Sequence, residues 1–162
     1  MGIVANYRMS DIAERLESFS DSIVNAAVQA LGFLGAKCVN YARSIPDPAH
    51  GGNGFQDQTG NLRSSIGFKI FVGGQPAAED YKVVKNGVTG MEQGKAIADG
   101  VGGACENGQI MLVVTAGMEY AIHVESLGRD VIASSELLAE MEWPKMKQKI
   151  DAMVKRQMNK MK

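Results

Sequence analysis

The sequence predicts an α+β fold: a long N-terminal helix, a mostly antiparallel sheet of about four strands with short helices, and a C-terminal helix. Three observations carry it. Apolar residues recur at helical spacing from Ile12 to Ile45, the runs 66–72 and 109–115 read as strands, and a second helical pattern fills Ser135 to Lys162. The 162 residues suit a single domain spanning 1–162, divided into a long helix (10–45), a flexible loop (46–58), a sheet with short helices (59–133) and a basic C-terminal helix (135–162).

The first helix starts after Ser10, which reads as its N-cap, with Asp11 and Glu14 in the first turn. Ile12, Leu16, Phe19, Ile23, Ala27, Ala30, Leu34, Cys38, Tyr41 and Ile45 step by three or four and form one stripe. At about 1.5 Å per residue such a rod is roughly 50 Å long, more than a domain of this size spans, so part of it is expected to pack elsewhere. Gly32 and Gly35 read as a mild bend, with a close crossing as the alternative. Pro46 and Pro48 stop the helix, and the glycine-rich stretch to Gln58 reads as a mobile loop.

Thr59 opens a short turn leading into a strand from Ile66, which Gly73 and Gly74 end. A second strand is expected over Tyr81–Val84, turning at Asn86-Gly87, and a helix around Met91–Ala104 with Met91, Ala98 and Val101 facing inward. The most apolar run, Gln109–Thr115, reads as a central strand. Met118–Leu127 reads as a helix with Tyr120, Val124 and Leu127 on one face, and Val131-Ile132 as a last short strand. Pro144 predicts a break near Trp143 in the final helix.

Composition excludes several classes. Apolar residues are 45% and charged residues 22%, so the chain is not disordered. Seventeen basic against eighteen acidic residues give a net charge of −1 and no global attraction to nucleic acid. Two cysteines, Cys38 and Cys105, are too few for a disulfide framework or a zinc site, and both thiols are expected to be free in a reducing cytoplasm. Arg8, Asp11 and Glu14 interrupt any secretory signal, and the uncharged stretch Ser22–Ala36 is shorter than the roughly 20 residues of a membrane span.

Catalytic patterns fail in turn. His123-Val124-Glu125 echoes half of a zinc deaminase signature without its downstream cysteines. Glu119 and His123 stand four apart, as an acid/base pair or as an exposed helix pair. The glycines at 51–54 and 100–103 lack phosphate-loop or dinucleotide spacing and read as turns. No enzyme, cofactor or metal is expected. The one charge block is C-terminal, where Lys145, Lys147, Lys149, Lys155 and Arg156 interleave with Met146, Ile150, Met153, Val154 and Met158. This is either a basic arm for DNA, an acidic partner or a membrane surface, or a packing helix with solvated lysines.

Two motifs behind the long helix, TGNLRSSI at 59–66 and MEYAIHVESLGRDVI at 118–132, resemble the head–tail joining, or tail-completion, proteins of long-tailed double-stranded DNA phages. The matching residues are Thr59, Gly60, Leu62, Arg63, Ser65 and Ile66, then Tyr120, Ala121, Val124 and Glu125. The glycine of the second motif comes one position late, as Gly128, and the family's proline-rich ending is absent. The resemblance implies a structural virion or prophage protein of the neck, made in the host cytoplasm; with no spanning segment expected, no membrane partner is expected either. It implies a ring, sixfold by analogy with tail tubes, contacting itself, a connector or stopper, the tail tube and passing DNA. Arg63 and Glu125 are then expected to hold the fold or an interface, and Lys145, Lys147, Lys149, Lys155 and Arg156 to face an interface or DNA. The alternative is a small cytoplasmic nucleic-acid-binding protein using the basic C-terminal helix.

Overall fold

A computed structural model describes residues 8–160. The element order is α1 (Met9–Ser44), α2 (Asn61–Ser65), β1 (Ile66–Val72), β2 (Gln75–Asp80), α3 (Val88–Gly102), β3 (Ile110–Ala116), α4 (Ala121–Ser126) and α5 (Ala133–Lys160), with a 3-10 turn at Pro48–His50. The architecture is the expected α+β, with three strands rather than four.

The sheet is antiparallel in the order β2-β1-β3, so β1 is central and the apolar β3 lies at an edge. Period-two alternation sends the two faces of β1 to different layers. Ile66, Phe68 and Ile70 pack with Leu31, Val39 and Ala42 of α1. Phe71 packs with Ala98 of α3 on the other face, and Lys69 reaches Asp99 there. The molecule is therefore layered, with α1 and α5 on one side of the sheet and α3 on the other.

β2 replaces the strand expected at Tyr81–Val84. Gly73 (φ 56°) and Gly74 (φ 80°) do not simply end β1; they form a two-residue reversal that pairs Val72 with Gln75. Pro76 is tolerated because β2 is an edge. Tyr81 instead lays its ring over Gly67, where a Cβ would come within 2.2 Å of it. Its hydroxyl meets Thr115 Oγ1 at 2.7 Å and donates to the Gly94 carbonyl at 3.1 Å. Val84 gives its N–H to Ser64 Oγ at 2.7 Å, a side-chain bond in place of a ladder. Val131-Ile132 is not a strand either, because the N–H of Ile132 is taken by the Glu125 carboxylate at 2.8 Å.

α1 begins at Met9 with Arg8 in the capping position, so Ser10 is not its cap; the Ser10 hydroxyl donates to Asp11. By length and composition α1 could cross a membrane, but its second half is spent on the core through Leu31, Leu34, Cys38, Val39 and Ala42. Gly35 is a close crossing rather than a bend point: a Cβ there would meet the Phe68 ring at 2.7 Å. Ile12, Leu16 and Tyr41 of the predicted stripe stay exposed.

α5 runs through Pro144 without the expected break. It lies antiparallel to α1, with the Ser135 hydroxyl donating to the Cys38 carbonyl at 3.0 Å and Lys37 paired with Glu142 at 3.0 Å. Half-buried Met146, Ile150, Val154 and Gln157 continue one stripe along α1 beyond the proline, and this packing outweighs its local cost of about 3 kcal/mol.

α3 is seated by glycines that the sequence suggests as flexibility. Gly90, Gly94 and Gly102 face inward with Ala98, whereas Met91 is half-buried and Val101 exposed. A Cβ on Gly102 would meet the Phe71 ring at 2.2 Å, so the helix backbone lies directly on the sheet.

Candidate functional site

The two motif segments, about sixty residues apart, meet around the loop 46–58. That loop is tightly built: Asp47 accepts the His50 N–H at 3.1 Å, Gly54 bridges to Asp130, and Phe55 is buried in the main core. Gly54 has no room for a Cβ, which would sit 2.5 Å from the Ile45 carbonyl oxygen. A cleft of about 270 Å³ opens where Phe55, Asp57, Leu62, Tyr120, Val124 and Arg129 converge.

The first motif supplies the frame. Thr59 Oγ1 accepts the Asn61 N–H at 3.3 Å, and Gly60, at φ 90°, caps α2 in a left-handed conformation close to the Val84 carbonyl. Leu62, Ser65 and Ile66 are buried, and Ser65 Oγ donates to the Leu62 carbonyl at 2.8 Å. Arg63 binds three ways. It donates to the Arg43 carbonyl at 2.8 Å, lies 5.3 Å over the Phe55 ring, and approaches Asp57 Oδ2 at 4.0 Å. Asp57 Oδ1 accepts the Gly60 N–H at 3.0 Å.

Arg43, unmarked in the sequence, locks the other side of this frame. It donates to the Ile66 carbonyl at 2.5 Å at the end of α2. Burial pulls its guanidinium below the ordinary value, opposed by the charge of Asp80.

The second motif forms α4 and the entry to α5. Ala121 is buried, Val124 half-buried, and Tyr120 lies at the cleft, its phenol raised by burial and then by the charge of Asp57. Leu127, expected on one face with Tyr120 and Val124, is exposed, and so is Tyr120. Gly128, at φ 77°, ends α4 by donating to the Glu125 carbonyl at 2.9 Å. The Glu125 side chain accepts from Ile132 N at 2.8 Å and Ala133 N at 3.0 Å, holding the first turn of α5 with Asp130, which binds the Ser134 N–H and hydroxyl. Asp130 and Arg129 lie inside the second motif but are not among its matched residues.

The geometry is that of a structural joint. His123 and Glu119 are both exposed, with Glu119 outside the helix that carries His123. Among the described residues, no three His, Cys, Asp or Glu side chains gather as a metal site would need. Lys145 pairs with Glu142 at 3.1 Å, while Lys147, Lys149, Lys155 and Arg156 are exposed along α5. Compared with protein-family models, curated proteins and solved structures, the chain matches none.

Proposed function

We propose that this chain is a structural protein of the neck of a long-tailed phage virion or prophage particle. It forms a ring that completes or terminates the tail and joins it to the head connector around the DNA channel. The observation that carries the reading is apolar surface in excess of what a monomer exposes singly. Phe33 is 75% exposed and Ile122 77%, and Met9, Leu16, Leu137, Met141, Trp143 and Leu127 join them. These residues lie along the α1–α5 pair and around α4, where neighbouring subunits or rings would cover them. Both motif segments bond the loop 46–58, Gly60 through Asp57 and Asp130 through Asn53, which supports the resemblance, because the shared residues then maintain one framework.

Light scattering across a concentration series, followed by negative-stain imaging, tests this. Closed rings with an axial hole are expected, sixfold by analogy with tail tubes, alone or after adding tail tubes or connectors. A chain that stays monomeric under all those conditions refutes the ring. The exposed lysines of α5 favour the second reading, a nucleic-acid-binding protein; its mark is DNA affinity that collapses between low and moderate salt.

A further inference from the structure

The α1–α5 pair is a hairpin whose far half extends past the sheet, and its charges are segregated. Glu14, Glu17 and Asp21 recur at steps of three and four, so they share one face of α1 with Ser18 and Asn25. They are exposed, whereas Phe19 and Ile23 are half-buried, so the acidic face is turned away from α5. On α5, Lys149 and Arg156 each stand one residue before a half-buried member of the packing stripe, Ile150 and Gln157, and form an exposed basic flank. Among the described residues none of these five charges has an ion-pair partner, and the only ion pair joining the two helices is Lys37 with Glu142.

We infer that the partner of this hairpin is a second copy of the chain, the basic flank of α5 in one copy lying against the acidic face of α1 in the next. The inference rests on the ring reading above and names its contact. The levels agree. Counted from the Cys38–Ser135 hydrogen bond at about 1.5 Å per residue, Asp21, Glu17 and Glu14 lie about 25 to 36 Å along α1, and Lys149 and Arg156 about 21 to 32 Å along α5. Two hairpins pointing the same way therefore bring opposite charges to one height. The two rows are different surfaces of one chain, so the contact is heterologous and propagates until it closes. Exposed Met153, four residues after Lys149 and three before Arg156, lies on the same flank and adds apolar area to the contact.

Two double variants test it, Glu17→Lys with Asp21→Lys, and Lys149→Glu with Arg156→Glu. All four positions are exposed, so both proteins should keep the wild-type circular dichroism and melting temperature. Each alone carries like charges on both surfaces and should lose assembly in sedimentation velocity at low salt. An equimolar mixture should regain wild-type-sized particles containing both variants alternately. Wild-type assembly should weaken as salt rises. A folded double variant that assembles like the wild type overturns the hairpin contact and leaves the ring standing on other surfaces, and so does a mixture that stays monomeric. A wild type that forms no particle, with or without tail tubes and connectors, overturns the ring itself and the contact with it.

Discussion

One substitution made at two glycines of α3 separates backbone packing from helix propensity. A Cβ on Gly94 would lie 2.4 Å from the Ser65 carbonyl oxygen and 2.9 Å from Tyr81 Cε1. Ser65 is backbone at the α2–β1 junction and cannot rotate aside, so α3 must retreat by about 1 Å to reach ordinary contact. The Gly94 carbonyl also accepts hydrogen bonds from Tyr81 at 3.1 Å and Thr115 at 3.3 Å, which the retreat stretches. Overpacking costs about 1–3 kcal/mol and stretching the contacts of this hydroxyl pair about 1 in all, against a propensity gain near 1 for alanine. Gly94→Ala should therefore destabilise by about 2 kcal/mol. Gly100 lies in the same helix with nothing within 4 Å of its would-be Cβ, so Gly100→Ala should stabilise by about 0.5–1 kcal/mol. Urea unfolding followed by circular dichroism reads both, with melting temperatures separated by roughly 5–12 °C. If the two variants shift together, or Gly94→Ala matches the wild type, α3 is not held by backbone contact.

Glu125→Ala removes two carboxylate bonds from the first turn of α5 and should cost about 1–2 kcal/mol; an unchanged melting temperature would remove Glu125 from that role. Pro144→Ala supplies the N–H that the carbonyl of Glu140 lacks, so far-UV ellipticity and stability should both rise, the latter by up to about 3 kcal/mol; no change would mean that the helix has already adapted around the proline. Lys69, its side chain 8% exposed, bonds Asp99 and Glu79 beneath α3. Burial alone would lower its pKa, but the hydrogen bonds to Asp99 and Glu79 prevail and raise it above 10.5, so its contribution is present below that pH and lost as pH rises through the folded value. Glu79 is lowered from 4.5, chiefly by its bond to Lys95 and then by Lys69, so its contribution is present above that value and lost as pH falls through the folded one. Lys69→Met should flatten the alkaline limb of a stability–pH profile and weaken the acid one; an unchanged profile would show that these pairs carry no stability.

Where a pattern and its cause lie in the same short stretch, the sequence is readable. Ala27, Ala30, Leu34 and Cys38 step by three and four on a buried face of α1 that meets α5 at Ser135, while Val28, Leu31, Val39 and Ala42 beside them meet the sheet, and β1 is buried nearly throughout because a different layer covers each of its faces. The same periodicity continues to Ile12 and Leu16, which are exposed, since spacing records a face and not what lies against it. β2 escapes because Gln75–Asp80 is an edge with little apolar alternation, fixed by the Gly73-Gly74 reversal rather than by its own residues. Tyr81–Val84 has strand-like side chains, yet Tyr81 is needed across the space left by Gly67 and Val84 is taken by Ser64. Pro144 misleads for the opposite reason: a local penalty is overcome by packing along α1. At the joint, the motif residues are visible one by one, but Arg43, Phe55 and Asp57 become partners of Arg63 only once the irregular loop 46–58 folds back over α2.

The distribution of burial also bears on why so large a part of the chain lies outside the core. The cluster around Ile66 and Ile70 draws on α1 only from Val28 onward. Toward the N-terminus, α1 and α5 have only each other, and each covers a single stripe of its partner. Helices in that state are marginal in water, because most helical stability in proteins comes from tertiary packing rather than propensity. The charges make the same point: an acidic face and a basic flank at matching heights, left unpaired with each other in one chain, add little to that chain's own stability. In a ring built by the proposed contact, each hairpin has a neighbour on both sides, and the rows that contribute little alone set the direction in which subunits join. The framework of Arg43, Arg63, Glu125 and Asp130 then has a mechanical use. It ties the end of α1 to β1 through Arg43 and Arg63, and the start of α5 to α4 and the loop 46–58 through Glu125 and Asp130, so that the distal rows are presented at one defined height.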